Sequence, residues 1–288
     1  MSDPALGNGP LAIICGGGSF PSAVAAAAER RGRQPIMFGL RGWAEPETVE
    51  RYRHHWIAIG QLGRFIDLAR NEGCREVILI GSLLRPPVTQ LRLDWLTIRA
   101  MPRIVRSYRG GDDRLLSGVA QLFEDNGIHV VGVDDVAPEL FVPEGLLGRH
   151  EPSSRDRADI AYALRMMAAL GPFDVGQAVV LAGNHVLAVE AAEGTDRMLQ
   201  RVADLRSQGR VTAPTGTGVL VKALKTGQDR RIDLPSIGLR TIENVARAGL
   251  AGIAVTAGST VITDASEVIA AADRAKIFVA GVSDKGVT

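Results

Sequence analysis

Short apolar runs of strand length alternate with amphipathic stretches along most of this chain. Leu11 to Cys15 is continuously apolar, and the alanine-rich segment after Pro21 keeps helical spacing to about Arg31. Further strands are expected at 35–40, 56–59, 77–80 and 128–133, with a helix at 61–71. Strand and helix units alternating at this size predict a parallel sheet covered on both faces. Residues 136–154 break the pattern with Pro138, Pro143, Gly145, Gly148 and Pro152, which is linker chemistry. The chain therefore reads as α/β, with an N-terminal Rossmann-like doubly wound domain at 1–135, a linker at 136–154 and a C-terminal α/β domain at 155–288.

The second half opens with a helix at 156–170. Strands at 177–181 and 185–190 flank Gly183-Asn184, a compact turn that predicts a hairpin. A helix follows at 197–205. Near Leu234 the chain is expected to leave a strand and turn into a helix through Thr241 to Ala248, with Ser236 as its N-cap. Ile242, Val245, Ala246 and Leu250 sit at helical spacing, and 252–255 reads as a buried strand.

Candidate chemistry gathers where strands end. Gly16-Gly17-Gly18-Ser19 stands between a strand and a helix, an arrangement that cradles phosphates in doubly wound folds. It matches neither GxGxxG nor the P-loop pattern, so nicotinamide and nucleotide-triphosphate chemistry are poorly supported. The glycines are read either as a ligand contact or as room for a neighbouring strand. Ser82 and Arg85, after the strand at 77–80, join this candidate pocket.

The densest polar cluster lies further on. Lys222, Lys225, Asp229, Arg230, Arg231 and Asp233 fall within twelve residues, cations enough to neutralise a diphosphate. Asp233 among them is read either as a catalytic carboxylate that holds a metal or water, or as a salt-bridge partner of Arg230 or Arg231. Glu190, Glu193, Thr195 and Asp196 concentrate acid and hydroxyl groups at another strand-to-helix junction. Thr195 or Asp196 is expected to cap the helix, and the remaining acids to share Mg2+ or Mn2+ with Asp233. At Arg109-Gly110-Gly111-Asp112-Asp113 one aspartate is expected to cap a helix through Phe123, which leaves a spare carboxylate.

Composition narrows the function classes. A formal net charge of +1 over 288 residues argues against nucleic-acid binding through bulk charge. Two cysteines, Cys15 and Cys74, do not make a disulfide framework. There is no apolar run of transmembrane length and no secretion signal at the N-terminus, so a cytoplasmic protein is expected. Residues 91–109 combine Arg92, Arg99, Arg103 and Arg106 with Trp95, Ile98 and Met101. This segment is read as an ordinary solvated face or as a basic amphipathic surface for anionic lipid or an acylated substrate.

Three function classes compete at this point. They are a metal-dependent diphosphatase, a nucleotide-dependent oxidoreductase or transferase, and a non-catalytic binding protein that uses the same junctions. The second is weakened because residues 36–45 offer no ribose-binding acid before Glu45.

Taken together, GGGSFP, GSLLRP, GDDRLL, GQAVVLAGNHVLAVEAAEGTDRML and LVKALKTGQDRRIDLPSIGLRTIENVARAGLAGIAV resemble the bacterial UDP-2,3-diacylglucosamine pyrophosphatases of lipid A biosynthesis, in their alphaproteobacterial type. The resemblance implies hydrolysis of that acylated UDP-sugar to UMP and 2,3-diacylglucosamine 1-phosphate with magnesium. It also implies two α/β domains and a homodimer; peripheral contact at the inner membrane surface is the expectation attached to the arginine-rich segment 91–109. The family's important aspartate matches Asp233. The expected substrate contacts are Gly17, Gly18, Ser19, Ser82, Arg85, Asp112, Thr195, Lys222, Lys225 and Gln228. The expected metal set is Asp233, Glu193 and Asp196.

Overall fold

The computed structural model describes residues 7–83, 91–108, 112–173, 175–225 and 229–283, with the side chains of all of these except 104–116 and 172. Two compact units divide it. The first takes the chain up to Glu139 together with Asp229–Asp233, and the second takes Leu140–Gln228 and the chain from Leu234 onward.

Unit 1 runs β1 (Leu11–Cys15), α1 (Phe20–Arg30), β2 (Pro35–Leu40), α2 (Pro46–Val49), β3 (Arg53–Ile57), α3 (Leu62–Asn71), β4 (Glu76–Ile80), α4 (Trp95–Tyr108), α5 (Asp112–Glu124), β5 (His129–Val130) and α6 (Val133–Val136). Its five strands are all parallel, in the order β3-β2-β1-β4-β5. Ala12, Ile14, Ile36 and Phe38 pack with Phe65 and Ile66 of α3 and Phe123 of α5. Phe65 meets Phe38 edge-on at 4.8 Å and Phe123 at 5.1 Å. α1 buries Val24, Ala25, Ala27 and Ala28 and packs against β1 and β2. Because β1 and β2 are buried along their whole length, they read as apolar runs rather than as alternation.

Three local expectations shift. β3 begins at Arg53, three residues before the expected start, because an edge strand carries polar Arg53, His54 and His55 that apolar patterning does not register. β5 is only two residues long, since Gly132 turns the chain into α6 with its N–H donating to the Asp135 carboxylate at 2.9 Å. Pro102 does not split α4, and its ring lies on the exposed side of a continuous helix.

Unit 2 contains β6 (Gly145–Leu146), α7 (Ser154–Leu170), β7 (Ala178–Ala182), β8 (His185–Val189), α8 (Gly194–Ser207), β9 (Val219–Lys222), β10 (Ser236–Ile237), α9 (Leu239–Arg247), β11 (Gly252–Thr256), β12 (Val261–Ile262), α10 (Ala265–Ala275) and β13 (Phe278–Val282). Its main sheet is mixed, in the order β6-β13-β11-β9-β7-β8, with β9, β11 and β13 parallel. α7 packs on one face through Ile160, Ala163 and Leu164. Residues of α8, α9 and α10, among them Met198, Val245 and Val268, build the other cluster. The β7–β8 hairpin turns on Gly183 at φ 63 and Asn184 at φ 62, the left-handed pair that a two-residue primed turn requires. Both turn N–H groups donate to the buried carboxylate of Asp159 on α7, at 2.8 and 2.6 Å.

The segment expected as linker is largely built into unit 2. Phe141 bridges to Val261, the Val142 N–H donates to the Thr260 carbonyl at 2.8 Å, and β6 pairs antiparallel with β13. Glycine and proline mark a change of direction here, and backbone pairing then recruits the chain into the sheet. Ser153 starts α7 with a reciprocal cap. Its hydroxyl accepts from the Asp156 N–H at 3.2 Å, while the Asp156 carboxylate accepts from the Ser153 N–H at 2.9 Å.

Candidate functional site

In a doubly wound sheet ligands gather at the carboxyl edge, where the strand order reverses. In unit 1 that point lies between β1 and β4. Gly17 and Ser82, just past the two strand ends, exchange both backbone hydrogen bonds, at 2.9 and 2.8 Å. A Cβ at Gly16 would lie 2.5 Å from the Ser82 carbonyl oxygen, so glycine is required by the crossing chain. The reading of this turn as room for a neighbouring strand therefore holds for Gly16 and Gly17. Gly18, at φ 93, and Ser19 then stand exposed at the start of α1, beside exposed Ser82. Ser19 contributes its carbonyl to Ser22, whose hydroxyl donates at 2.7 Å, and its own side chain caps nothing. The structure thus brings Gly17, Gly18, Ser19 and Ser82 together, while Arg85 lies outside the described residues.

The loop Asp229–Asp233 packs into unit 1 although it lies far along the chain. Arg231 anchors it. Its guanidinium binds Asp229 in a fork at 2.8 and 3.1 Å and reaches Glu124 and the Val130 carbonyl at the end of β5, both at 3.4 Å. Hydrogen bonding from Arg231 holds the Asp229 carboxyl below its usual range, against the opposing pull of burial. The same bond to Asp229 raises Arg231. Ile232 adds apolar contact to the unit 1 core. Half-buried Asp233 follows, and its N–H donates to the Asp229 carbonyl at 3.3 Å. Arg231 thus carries the carboxylates of Asp229 and Glu124. Sequence reasoning missed this anchoring role of Asp229, although the i, i+2 spacing of Asp229 and Arg231 is a turn signal.

The lysines belong to unit 2. Lys222 ends β9, is buried, and donates from Nζ to the Ser236 carbonyl at 2.8 Å. Lys225 lies half-buried three residues on, and Gln228 is outside the described residues. The helix expected to start at Ser236 begins later. Ser236 and Ile237 are drawn into a two-stranded parallel sheet with Val261 and Ile262, so Gly238 becomes the N-cap of α9. A two-residue pairing made with a distant segment has no local signal.

The acids around Thr195 are already engaged. α8 starts at Gly194 with Glu193 at its N-cap position, three residues before the expected Arg197. Glu193 pairs with Arg201 at 2.6 Å, and Asp196 pairs with Arg240 at 2.9 Å and accepts from Asn244 at 2.8 Å. Thr195 donates to Glu190 at 2.9 Å. Among the described residues no group of three or more His, Cys, Asp or Glu side chains gathers to hold a metal. The set Asp233, Glu193 and Asp196 therefore does not fit a magnesium cage, because two of its members face guanidinium groups. Asp112 is the first residue of α5, and its side chain lies outside the description.

Unit 2 also carries a cleft of about 580 Å³ beside α7. Ile160, Ala161 and Leu164 line it with Leu146 and the end of β13, and Arg157 and Arg165 flank the apolar strip. Their spacing of i, i+3, i+4, i+7 and i+8 puts all five on one helical face, a signal visible within the helix expected at 156–170 but not singled out there. Such a lining suits an apolar chain attached to an anionic group.

Two family models match the chain, the LpxI N-terminal domain over residues 10–140 and the LpxI C-terminal domain over residues 143–280. UDP-2,3-diacylglucosamine pyrophosphatase LpxI of Caulobacter vibrioides is 42% identical over 272 residues, covering 94% of this chain and 97% of that protein. Among solved structures, malate dehydrogenase of Cryptosporidium parvum aligns at 16% identity with a TM-score of 0.21. That alignment covers 71% of this chain and 64% of the dehydrogenase, under two thirds of its length.

Proposed function

This chain belongs to the LpxI family, and from that premise we propose that it hydrolyses the diphosphate of UDP-2,3-diacylglucosamine, giving UMP and 2,3-diacylglucosamine 1-phosphate for lipid A biosynthesis. The match along nearly the whole chain to a pyrophosphatase carries this reading. The exposed glycine turn, the buried lysine at the end of β9 and the apolar cleft flanked by arginines are consistent with an acylated, doubly charged substrate.

Hydrolysis of a diphosphate requires an aligned water and neutralised phosphate oxygens. In our reading Asp233 orients and deprotonates the attacking water. Gly18 and Ser19 approach the phosphates through their backbone, where the absence of a Cβ at Gly18 permits close contact. Magnesium would lower the charge on the phosphate oxygens, held by the substrate's own oxygens and by water, since this ion commonly takes few protein ligands. The test supplies purified protein with UDP-2,3-diacylglucosamine and separates the products. UMP is expected to form, to disappear in EDTA and to return with magnesium. Full activity in the chelator removes the metal from the proposal, and no UMP under any condition removes the hydrolase.

Among the described residues no helix is long and apolar enough to cross a membrane. We place the enzyme in the cytoplasm at the inner membrane surface, where an acylated substrate resides, and as a homodimer. Light scattering on the purified protein is expected to give twice the chain mass, and a single-chain mass rejects the dimer.

A further inference from the structure

We propose that the outward face formed by Arg92, Leu93, Trp95, Ile98 and Arg99 in unit 1 docks on an anionic lipid bilayer. This rests on the reading of the substrate as a diacylated molecule held in a membrane, and names the surface that meets it. Trp95 is 77% exposed, Ile98 48% and Leu93 41%. Three large hydrophobic side chains exposed within six residues form a patch, whereas scattered single ones would need no explanation.

The exposure is not that of a loose loop. Asp94 caps α4, accepting from the Thr97 N–H at 2.9 Å and its hydroxyl at 2.8 Å. The other oxygen of Asp94 accepts from the Arg64 N–H in the first turn of α3, at 3.0 Å. Burial opposes the charge on Asp94, but the N–H groups of Thr97 and Arg64 outweigh it and hold the carboxyl below its usual range. The backbone on either side of Leu93 is tied down too, since the Arg92 and Asp94 N–H groups donate to the Ile59 and Gly60 carbonyls at 3.0 and 3.1 Å. Leu96 packs on the unit 1 core, while Thr97 and Ala100 are buried. With the inward positions filled and the first turn capped, Trp95 and Ile98 are held facing out.

Charge selects the occupant. Arg92 and Arg99 stand exposed among the apolar side chains. Of the nearby acids, Asp94 is taken by two helix starts and Asp125 by Arg103, at 2.7 Å. A second copy meeting this face across a two-fold axis would set arginine against arginine. A bilayer with acidic headgroups accepts both arginines and seats the indole at headgroup depth.

The full-length protein is mixed with vesicles of phosphatidylcholine alone or with added phosphatidylglycerol, and binding is followed by co-sedimentation. Binding to the acidic vesicles is expected, and weaker binding to the neutral ones. The pair Trp95→Ala and Ile98→Ala is expected to weaken binding to acidic vesicles about tenfold or more. Arg92→Gln and Arg99→Gln are each expected to weaken it about fivefold there and to leave neutral vesicles unaffected. Turnover of substrate dispersed in detergent micelles stays at the wild-type rate in all of these variants. The surface is overturned by absent wild-type binding, by variants that bind like wild type, or by Trp95→Ala and Ile98→Ala separating a dimer instead. Vesicle binding without any hydrolysis in micelles rejects the enzymatic reading and leaves the surface standing.

Discussion

Asp233→Ala loses turnover by about a thousandfold while substrate affinity changes little. The carboxylate sits in a loop that Arg231 pins to Asp229, Glu124 and the Val130 carbonyl, so that loop is held to the end of β5 before substrate arrives. A carboxylate beside a diphosphate repels it in the ground state, so removing it does not weaken binding. What disappears is the group that aligns and deprotonates water. Binding itself rests on cations and backbone N–H groups that the substitution leaves in place. Steady-state kinetics on the acylated UDP-sugar separate the two effects: kcat falls and KM holds. Asp229→Ala acts one step removed, by releasing Arg231, and costs about tenfold in kcat with Asp233 still present. Wild-type turnover in Asp233→Ala would remove that residue from the mechanism.

Breaking the Arg33–Glu76 pair destabilises unit 1 by about 3 kcal/mol, a large share of the stability of an ordinary domain. The two side chains meet at 2.6 Å and are only 9% and 10% exposed. Each holds more than its partner. Arg33 Nε donates to the Gly9 carbonyl at 3.1 Å, and Glu76 accepts from the Gly7 N–H at 3.0 Å, which ties the chain ahead of β1 to β4. Glu76→Ala leaves a guanidinium buried without its counter-ion, and Arg33→Ala leaves a carboxylate in the same state, so each single change costs more than the pair contributes. Thermal melting followed by circular dichroism is expected to fall by roughly 10 °C for either variant. Arg33→Met combined with Glu76→Leu is expected to recover most of that loss, because no buried charge remains. A single variant that melts like the wild type contradicts the assignment.

Much of unit 1 was legible in the chain because β1, β2 and β4 are buried and apolar, while α3 keeps helical periodicity. β3 was recognised only at its apolar end, since pairing with β2 holds Arg53 and His54 in the strand despite their polarity. The hairpin at Gly183-Asn184 was readable for a local reason, as those two residue types tolerate the left-handed backbone a short turn demands.

Acidic clusters misled more than they informed. Glu193 and Asp196 stand close in sequence and look like ligands for one cation, yet Arg201, eight residues on, and Arg240, forty-four residues on, take them separately. Ser236 looks like a helix cap from its neighbours alone, and pairing with Val261 turns it into a strand.

By itself, then, the sequence determined the alternation of strand and helix, the glycine turn after β1, the family and Asp233 as the carboxylate to test, because burial period, backbone freedom and residue order are local properties. Only the tertiary structure decided that Gly17 binds Ser82, that Arg231 binds Asp229 within a loop built into unit 1, and that Trp95 faces outward. Each of those outcomes depends on which distant group satisfies a charge, an N–H or an apolar face, and that choice is made by packing across many residues of intervening chain.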